Sequence, residues 1–336
     1  MPRHEESGKA FGVETSSKTG RWTRENNQVV FVEEPPSLNR NIMIGNGWTS
    51  LLLGLAYFVS AYKEPESIIR LVNVLANESD HFYVHFDNNL ERQRFEQWKR
   101  LIEQGCRTQN VHVFSKFRCK WMSFGIVDAT LDAMSFFGDF DYNYFINLTG
   151  ECYPLKSRQC IREVFRDQHA GFLTYWKLPY EGWHQGGMNR IGKRTFLLPK
   201  RAYPFVRMLE IPRLRKKIPC DLEPYGGWSL FCLPKDIASY LLKFNEDNPE
   251  VRAFFRRVQA PGEMFFQTIL LNSHFRDRIV NDNKRYMDFV DSHPRTLTKD
   301  DFEALVNSGK LFARKFDPAV DSEILDRIDR EIIART

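Results

Sequence analysis

A short polar segment follows a predicted buried strand in the middle of the chain. The apolar run Tyr144–Leu148 is broken by Thr149-Gly150-Glu151, and a helix is predicted after Pro154. In an open α/β sheet, the loops at the carboxyl ends of the strands face the ligand crevice. We therefore expect part of a binding or catalytic site at Thr149–Glu151.

A second carboxylate, that of Glu263, has two interpretations. Glu263 follows Pro261-Gly262 and opens a predicted helix at 262–273, whose other residues are largely apolar. If it faces an apolar cleft, this carboxylate is a candidate general base that removes a proton from a hydroxyl group. An acid at a helix N-terminus is also favourable simply because it interacts with the helix dipole. The residues by themselves leave both interpretations open.

Strands and helices alternate in the first half of the sequence. Apolar runs of strand length predict strands, and apolar stripes at helical spacing predict helices between them. The predicted strands are 55–61, 81–86, 111–114 and 143–148, and the predicted helices open at Pro65, Leu90 and about residue 125. Such alternation implies crossover connections and a mostly parallel sheet. The predicted fold class is therefore α/β, with a central sheet flanked by helices.

The second half is less regular. Residues 172–178 and 226–232 are predicted strands, and a long Gly-, Pro- and Arg-rich insertion lies between them at 181–225. Thr298 lies three residues ahead of Asp301, which is a capping signature for the helix that follows. A terminal amphipathic helix is predicted from apolar residues at helical spacing, which are Val320, Ile324, Leu325, Ile328 and Ile332.

Several motifs, in the same order along the chain, resemble those of one enzyme family. The segment 144–156 is similar to a fingerprint N-L-x-[GS]-x-x-[YF]-P-[LI]-K. Further matches are Ala56–Lys63, His81–Asp87, Trp121–Gly125, Pro261–Thr268, Ser292–Leu297 and Phe312–Asp317. Over roughly residues 54–330 the chain thus resembles the core-2/I-branching N-acetylglucosaminyltransferases and the peptide xylosyltransferases.

This resemblance implies a GT-A-like nucleotide-sugar-binding fold and an inverting glycosyltransferase. The enzyme would move GlcNAc or xylose from a UDP-sugar to a carbohydrate or hydroxyl acceptor. The family glutamate that matches Glu263 is the base, which favours the catalytic interpretation of that residue. An arginine and a lysine that match Arg295 and Lys315 stabilise the departing diphosphate without a metal ion. The resemblance therefore implies that no metal cofactor is needed.

Two other functions remain open. Many enzymes of this architecture hold the diphosphate through a divalent metal, which a D-x-D motif binds just after the central strand. Here Glu151 occupies that place, and it would be a ligand in a metal-dependent glycosyltransferase. Asp139-Phe140-Asp141 spells D-x-D but precedes the strand, so we interpret it as a turn. A non-catalytic sugar-binding module with the same fold is the other alternative.

Further contacts follow from the strand ends and the insertion. The expected nucleotide-binding residues are Ala61, Tyr62, Asp87 and Trp121. The expected acceptor-binding residues are Glu181, Trp183, Arg190 and Trp228. Aromatic residues such as Tyr62 and Trp121 are more often simple core residues, which is the alternative interpretation of both. The chain also departs from the family pattern, because Gly262 replaces an acid and the acid of the central elbow is displaced to Glu151.

The charge balance argues against a nucleic-acid partner. The 336 residues include 48 basic and 43 acidic residues, and a net charge of +5 is too mild and too interspersed for such a role. One local basic cluster, 213–217, favours an anionic ligand. The six cysteines lack zinc-site spacing and are interpreted as reduced thiols, although their even number would also allow disulfides in an exported protein.

The N-terminal region predicts no secretory signal and no membrane anchor. The apolar run Leu51–Val59 is shorter than the roughly 20 residues that span a bilayer. We therefore predict a cytoplasmic protein without a transmembrane span, which leaves peripheral membrane contact open. Residues 1–45 are interpreted as a flexible leader, and 46–336 as a single glycosyltransferase catalytic domain.

Overall fold

The computed structural model describes residues 54–120, 122–197, 208–213, 217–290 and 293–334, together with two strands near the N-terminus. The strands are β1 (Gly20–Glu25), β2 (Gln28–Glu33), β3 (Leu55–Ala61), β4 (His81–Phe86), β5 (Val111–Phe114), β6 (Tyr144–Thr149), β7 (Tyr153–Pro154), β8 (Gly171–Lys177), β9 (Lys193–Leu197), β10 (Met208–Pro212), β11 (Tyr225–Pro234), β12 (Ile279–Val280), β13 (Arg285–Tyr286), β14 (Phe289–Val290), β15 (His293–Pro294) and β16 (Phe312–Ala313). The α-helices are α1 (Pro65–Leu75), α2 (Arg92–Gly105), α3 (Gly125–Phe136), α4 (Arg158–Arg166), α5 (Met188–Gly192), α6 (Lys235–Asp247), α7 (Pro249–Phe255), α8 (Phe265–Leu271), α9 (Phe302–Asn307) and α10 (Glu323–Ile328).

Within these residues the central sheet has seven strands, in the order β12-β8-β11-β6-β3-β4-β5. Strands β6, β3, β4 and β5 are mutually parallel, whereas β11 runs antiparallel to both β6 and β8. Helices α1, α2 and α3 connect the parallel strands. The predicted α/β fold with a mostly parallel central sheet is therefore confirmed.

The parallel strands are buried on both faces, which is usual for a sheet covered by crossover helices. Along β3, Tyr57 and Val59 belong to one hydrophobic cluster and Phe58 to the other. The first cluster includes residues of α1, α2, α4 and α10, and the second includes residues of α3, α6, α7 and α8. This two-sided burial fixes the register of β3 and β6, and with it the positions of the residues that follow them.

The C-terminal region adds a small sheet in the order β13-β16-β7. Strand β7 follows β6 directly, so this sheet brings the end of the chain next to the carboxyl end of the central strand. The predicted capping signature is confirmed, because the Asp301 carboxylate accepts a hydrogen bond of 2.8 Å from the Thr298 amide. The predicted terminal helix is α10, which ends at Ile328 and continues as a π-helical turn.

The chain divides into two compact units, Met1–Leu52 and Leu53–Thr336. In the first unit, β1 and β2 pair as an antiparallel hairpin, which the sequence analysis did not predict. The division into a leader at 1–45 and a catalytic domain at 46–336 stays a prediction. Among the described residues, none of the helices has the length and apolarity needed to cross a membrane.

Candidate active site

The carboxyl ends of β3 and β6 lie side by side at one edge of the central sheet. Ser60 is paired with Thr149 across the two strands, and the Gly150 amide donates a 2.9 Å hydrogen bond to the Ser60 carbonyl. Tyr62 and Glu151 therefore leave the sheet next to each other. This is the edge at which open α/β sheets bind ligands.

Glu151 lies at the centre of a charged cluster, although it is only 4% exposed. Lys63 Nζ is 2.9 Å from Glu151 Oε1, and Arg314 Nη2 is 3.3 Å from Oε2. The Tyr62 hydroxyl also lies close to this carboxylate. Burial alone would raise the pKa of Glu151, but Tyr62, Lys63 and Arg314 outweigh it and hold the pKa below its ordinary value. Glu151 is therefore an ionised, internally paired group.

Lys315 borders this cluster. Lys63 also pairs with Asp317 at 2.7 Å, and this hydrogen bond is the main reason why the Asp317 pKa is lowered, with a smaller effect from Lys315. Within the described part of the chain, Lys315 forms no ion pair of its own. Its ammonium group is thus the predicted diphosphate ligand that is free to take an anion.

Arg295 comes near Lys315 through the main chain, because the Leu297 amide donates to the Lys315 carbonyl at 2.9 Å. Its guanidinium, however, is already engaged by two acids. Arg295 Nε is 2.5 Å from Asp288, and both terminal nitrogens bind the Asp301 carboxylate in a fork. The hydrogen bonds from Arg295 are the main reason why the pKa of Asp301 is lowered. Contact between Arg295 and a diphosphate therefore requires that these partners share or release it.

Glu263 lies in a 3-10 turn, Pro261–Glu263, and not at the start of α8 as predicted. Helix α8 begins two residues later, because Met264 has a non-helical backbone that separates the turn from the helix. The Glu263 side chain is 37% exposed, and its carboxylate is 2.6 Å from Arg190 Nη1. The Arg190 guanidinium in turn lies 3.8 Å above the Trp183 ring. Three predicted site residues are thus brought into one contact group.

Aromatic side chains extend this group into a continuous surface. Trp176 packs edge-to-face against Trp183 at 5.4 Å and against Trp228 at 6.1 Å, and its other contact is a stacked Tyr180 at 4.5 Å. Trp228 also packs on Phe289 at 4.2 Å. Trp and Tyr rings present flat apolar faces with a polar edge, which suits binding of a saccharide ring.

A glycine permits this packing. A Cβ atom added at Gly226 would lie 2.7 Å from two ring atoms of Trp183. Gly226 therefore allows the Trp183 ring to lie directly against β11. The aromatic surface also connects the two halves of the site, since Phe289 is next in sequence to Asp288, the partner of Arg295.

The expected nucleotide-binding residues and the expected acceptor residue Glu181 differ in their surroundings. Ala61 is buried at the end of β3, whereas Tyr62 is 59% exposed, which excludes its interpretation as a core aromatic residue. The Asp87 carboxylate accepts two 2.7 Å hydrogen bonds from Asn89. Glu181 is exposed, and among the described contacts none joins it to the Glu263–Arg190 pair. Trp121 lies outside the described residues.

The two acids of the D-x-D sequence lie where the sequence analysis put them. Asp139 and Asp141 are exposed in the turn that precedes β6, at the opposite end of that strand from Glu151. In the described residues, no group of three or more His, Cys, Asp or Glu side chains is arranged to hold a metal ion. Glu151, the alternative metal ligand, has both oxygens engaged by Lys63 and Arg314.

Comparison with known proteins identifies the family. A model described as Core-2/I-Branching enzyme matches residues 55–306. The chain belongs to the Core-2/I-branching enzyme family. Beta-glucuronosyltransferase GlcAT14A of Arabidopsis thaliana is 24% identical over 295 residues, which are 83% of this chain and 64% of that protein. Xylosyltransferase 1 of Rattus norvegicus is 22% identical over 298 residues, which are 77% of this chain and 33% of that protein.

The chain therefore spans less than two thirds of the length of either relative. Among solved structures, the glycosyltransferase GlyE of Streptococcus pneumoniae TIGR4 has a TM-score of 0.28 at 7% identity, over 68% of this chain and 44% of that chain. This likeness is too distant for a residue-by-residue comparison of sites. The relatives named here are glycosyltransferases, in agreement with the resemblance seen in the sequence motifs.

Several site residues of this Core-2/I-branching family member were not predicted from its sequence. Lys63 and Arg314 lie inside the recognised motifs, but neither was among the expected site residues. Trp176 belongs to a predicted strand, and nothing in its immediate sequence indicates that it contacts Trp183 and Trp228. Asp288 gives no sequence signal either, because its contact with Arg295 depends on the antiparallel pairing of the short strands β14 and β15.

Proposed function

We propose that this protein is an inverting, metal-independent glycosyltransferase that uses a UDP-sugar donor. The observation that carries the proposal is the state of Glu151. It is the acid that follows the central strand, where a metal ligand would be expected, and cations hold both of its oxygens at 2.9 and 3.3 Å. A divalent metal would have to displace Lys63 and Arg314 to bind there, whereas a diphosphate would join the existing positive groups.

In the proposed reaction, Glu263 removes the proton of the acceptor hydroxyl. The hydroxyl oxygen attacks the anomeric carbon from the face opposite UDP, so the configuration inverts. The bond between the anomeric carbon and the diphosphate oxygen breaks, and its electron pair leaves with UDP. Lys315, supported by Arg295, stabilises the negative charge that develops on the diphosphate. Arg190 keeps the Glu263 carboxylate in one orientation from its position on Trp183.

The sugar that is transferred is the least determined part of the proposal. The motif resemblance points to GlcNAc or xylose, and the name of the Arabidopsis relative adds glucuronic acid. All three donors carry the same uridine diphosphate, so Lys315, Arg295 and the cations around Glu151 suit each of them equally. The aromatic surface of Trp176, Trp183 and Trp228 supports a carbohydrate acceptor.

A turnover assay with and without a chelator tests the proposal. The full chain is incubated with UDP-GlcNAc, UDP-xylose or UDP-glucuronic acid and a panel of saccharide acceptors, and both UDP release and glycosylated product are measured. We expect one donor to support turnover that persists in excess EDTA, with inversion at the anomeric carbon detected by NMR. Loss of activity in EDTA, with recovery in manganese, would replace this proposal with the metal-dependent alternative. Saccharide binding without UDP release from any donor would favour the non-catalytic sugar-binding module.

A further inference from the structure

The β9–β10 hairpin carries an unusual combination of exposed side chains. The pair Phe196 and Leu209 lie opposite each other across the two strands, and Ile211 lies opposite Arg194. Because neighbouring pairs separated by two residues share a face, these four side chains form one surface of the hairpin. The three apolar residues are 38%, 46% and 45% exposed. A contiguous exposed apolar face of this kind marks an interaction surface.

The side chains on the other face of the hairpin are buried or paired within the protein. Thr195 is buried, and Lys193 pairs with Glu210 at 2.7 Å. The acid of the hairpin is therefore neutralised on the inner side and does not offset the charge of Arg194. The exposed apolar side chains and Arg194 of these strands lie on the outer face.

Positive charge accumulates beside this outer face. Arg194 and Arg257 are exposed, and within the described residues neither forms an ion pair with a carboxylate. Arg213 is 9% exposed, and it donates to the Lys193 carbonyl at 2.9 Å and to the Phe254 carbonyl at 3.2 Å. Burial, together with the charges of Arg194 and Arg257, lowers the pKa of Arg213 to about 10. Because Arg213 is buried, the exposed positive charge of this region comes from Arg194 and Arg257.

We infer that the outer face of the β9–β10 hairpin docks on an anionic lipid bilayer. Aliphatic and aromatic side chains would enter the headgroup boundary, and the arginines would meet the acidic headgroups. A saccharide fits this surface less well, because leucine and isoleucine lack the flat rings and polar edges that sugars use. A second copy of the same face also fits less well, because it would bring the arginines of two molecules together. Charge complementarity therefore selects the lipid surface.

Vesicle sedimentation of the full chain tests this inference. Neutral phosphatidylcholine vesicles are compared with vesicles that also contain about 30% phosphatidylglycerol, at low and high salt. We expect binding to the anionic vesicles at least about tenfold tighter than to the neutral ones, and weaker binding at high salt. Vesicle binding needs no sugar substrate, so the result is independent of the proposed transfer reaction.

Two kinds of variant locate the surface. Arg194→Glu reverses one charge of the face, and the triple change Phe196→Ser, Leu209→Ser and Ile211→Ser removes the apolar part. Each should weaken binding to anionic vesicles by about tenfold or more. The matched controls are Arg107→Glu and Val320→Ser, which alter exposed residues elsewhere, and they should bind as the wild type does. Thermal unfolding verifies that each variant is folded.

Three results would overturn the inference. The first is equal binding, or no binding, to anionic and neutral vesicles. The second is unchanged binding in both hairpin variants. The third is a change in oligomeric mass, measured by light scattering, that appears only in the hairpin variants, since the face would then be an interface between copies of the chain.

Discussion

At the scale of single residues, the position of the Glu263 carboxylate is set by its contacts with neighbouring side chains. It is partly exposed, and Arg190 holds it at 2.6 Å while stacking on Trp183. In the proposed reaction this carboxylate, which Arg190 holds beside the aromatic surface, accepts the proton of the acceptor hydroxyl.

Replacing this acid should stop transfer without affecting the donor. For Glu263→Gln we expect turnover to fall by about 100-fold or more, because proton removal by a positioned base contributes on that scale. The affinity for UDP, measured by calorimetry, should stay within about twofold, since the base acts on the acceptor in the transition state. Glu246→Gln, an exposed acid outside the candidate site, is the control. Retention of more than about a tenth of wild-type turnover would remove Glu263 from the mechanism.

At the scale of secondary-structure elements, the close approach of Trp183 to β11 depends on Gly226. An alanine there would place its Cβ 2.7 Å from the Trp183 ring, which is rigid. For Gly226→Ala we expect a stability loss of about 1–3 kcal/mol from overpacking. The KM for the acceptor should rise while the affinity for UDP is unchanged.

The control for this variant is Gly192→Ala, because nothing lies within 4 Å of a Cβ at Gly192. It should leave both stability and the acceptor KM near the wild-type values. If Gly226→Ala also left the acceptor KM unchanged, Trp183 would not belong to the acceptor surface.

The segment between β15 and α9 is hydrogen-bonded to the segment after β16, because the Leu297 amide donates to the Lys315 carbonyl. This hydrogen bond brings Arg295 near Lys315. If both groups stabilise one diphosphate, Arg295→Ala and Lys315→Ala should each weaken UDP binding. Each should also slow transfer by raising the activation free energy by about 3 kcal/mol. The double variant should lose less than the sum, since partners in one network are not additive. Uridine, which lacks phosphate, should be affected much less than UDP.

Lys299→Ala, an exposed base in the same region, is the control for this double-mutant cycle, and calorimetry with UDP and uridine is the measurement. The Arg295→Ala variant is the more informative of the two, because Arg295 already pairs with Asp288 and Asp301 and its contact with phosphate is in question. Equal losses for UDP and uridine, or strict additivity, would mean that Arg295 and Lys315 support the fold and do not form a shared phosphate site.

At the scale of the whole molecule, Glu151 connects distant parts of the chain. Its carboxylate joins Lys63 after β3 to Arg314 after β16, and its carbonyl accepts a 3.0 Å hydrogen bond from the Phe316 amide. The C-terminal sheet and the central sheet therefore share one buried charge. Removing this charge leaves two cations without their common partner.

This arrangement predicts a pH-dependent stability. The folded-state pKa of Glu151 lies below its ordinary value of 4.5, so the stabilisation is fully present above that pH and is lost as the pH falls through the folded pKa. Glu151→Gln should cost about 3 kcal/mol at pH 7. The difference from the wild type, measured by urea unfolding, should shrink as the pH falls below 4.5. Glu246→Gln, an exposed acid, is the control, and a difference independent of pH would contradict the ion-pair explanation.

The sequence alone determined the parallel strands of the sheet and the end of the sheet at which the candidate site lies. Apolar runs and helical stripes predicted β3, β4, β5 and β6 to within one or two residues, because strands buried on both faces have a strong local signal. The polar break after Leu148 predicted the carboxyl end of β6, where the candidate site lies. Family motifs then supplied Glu263, Arg295 and Lys315 as candidates.

Only the tertiary structure decided which charges meet. Lys63 and Arg314 lie about 250 residues apart in sequence yet converge on Glu151, and no local pattern encodes a contact of that separation. The same limit hid the contact of Trp176 with Trp183 and Trp228. It also hid the exposed apolar face of the β9–β10 hairpin, since strand pairing, and not composition, places Phe196 opposite Leu209. Local physics thus sets the elements, and long-range packing sets the partners of each functional side chain.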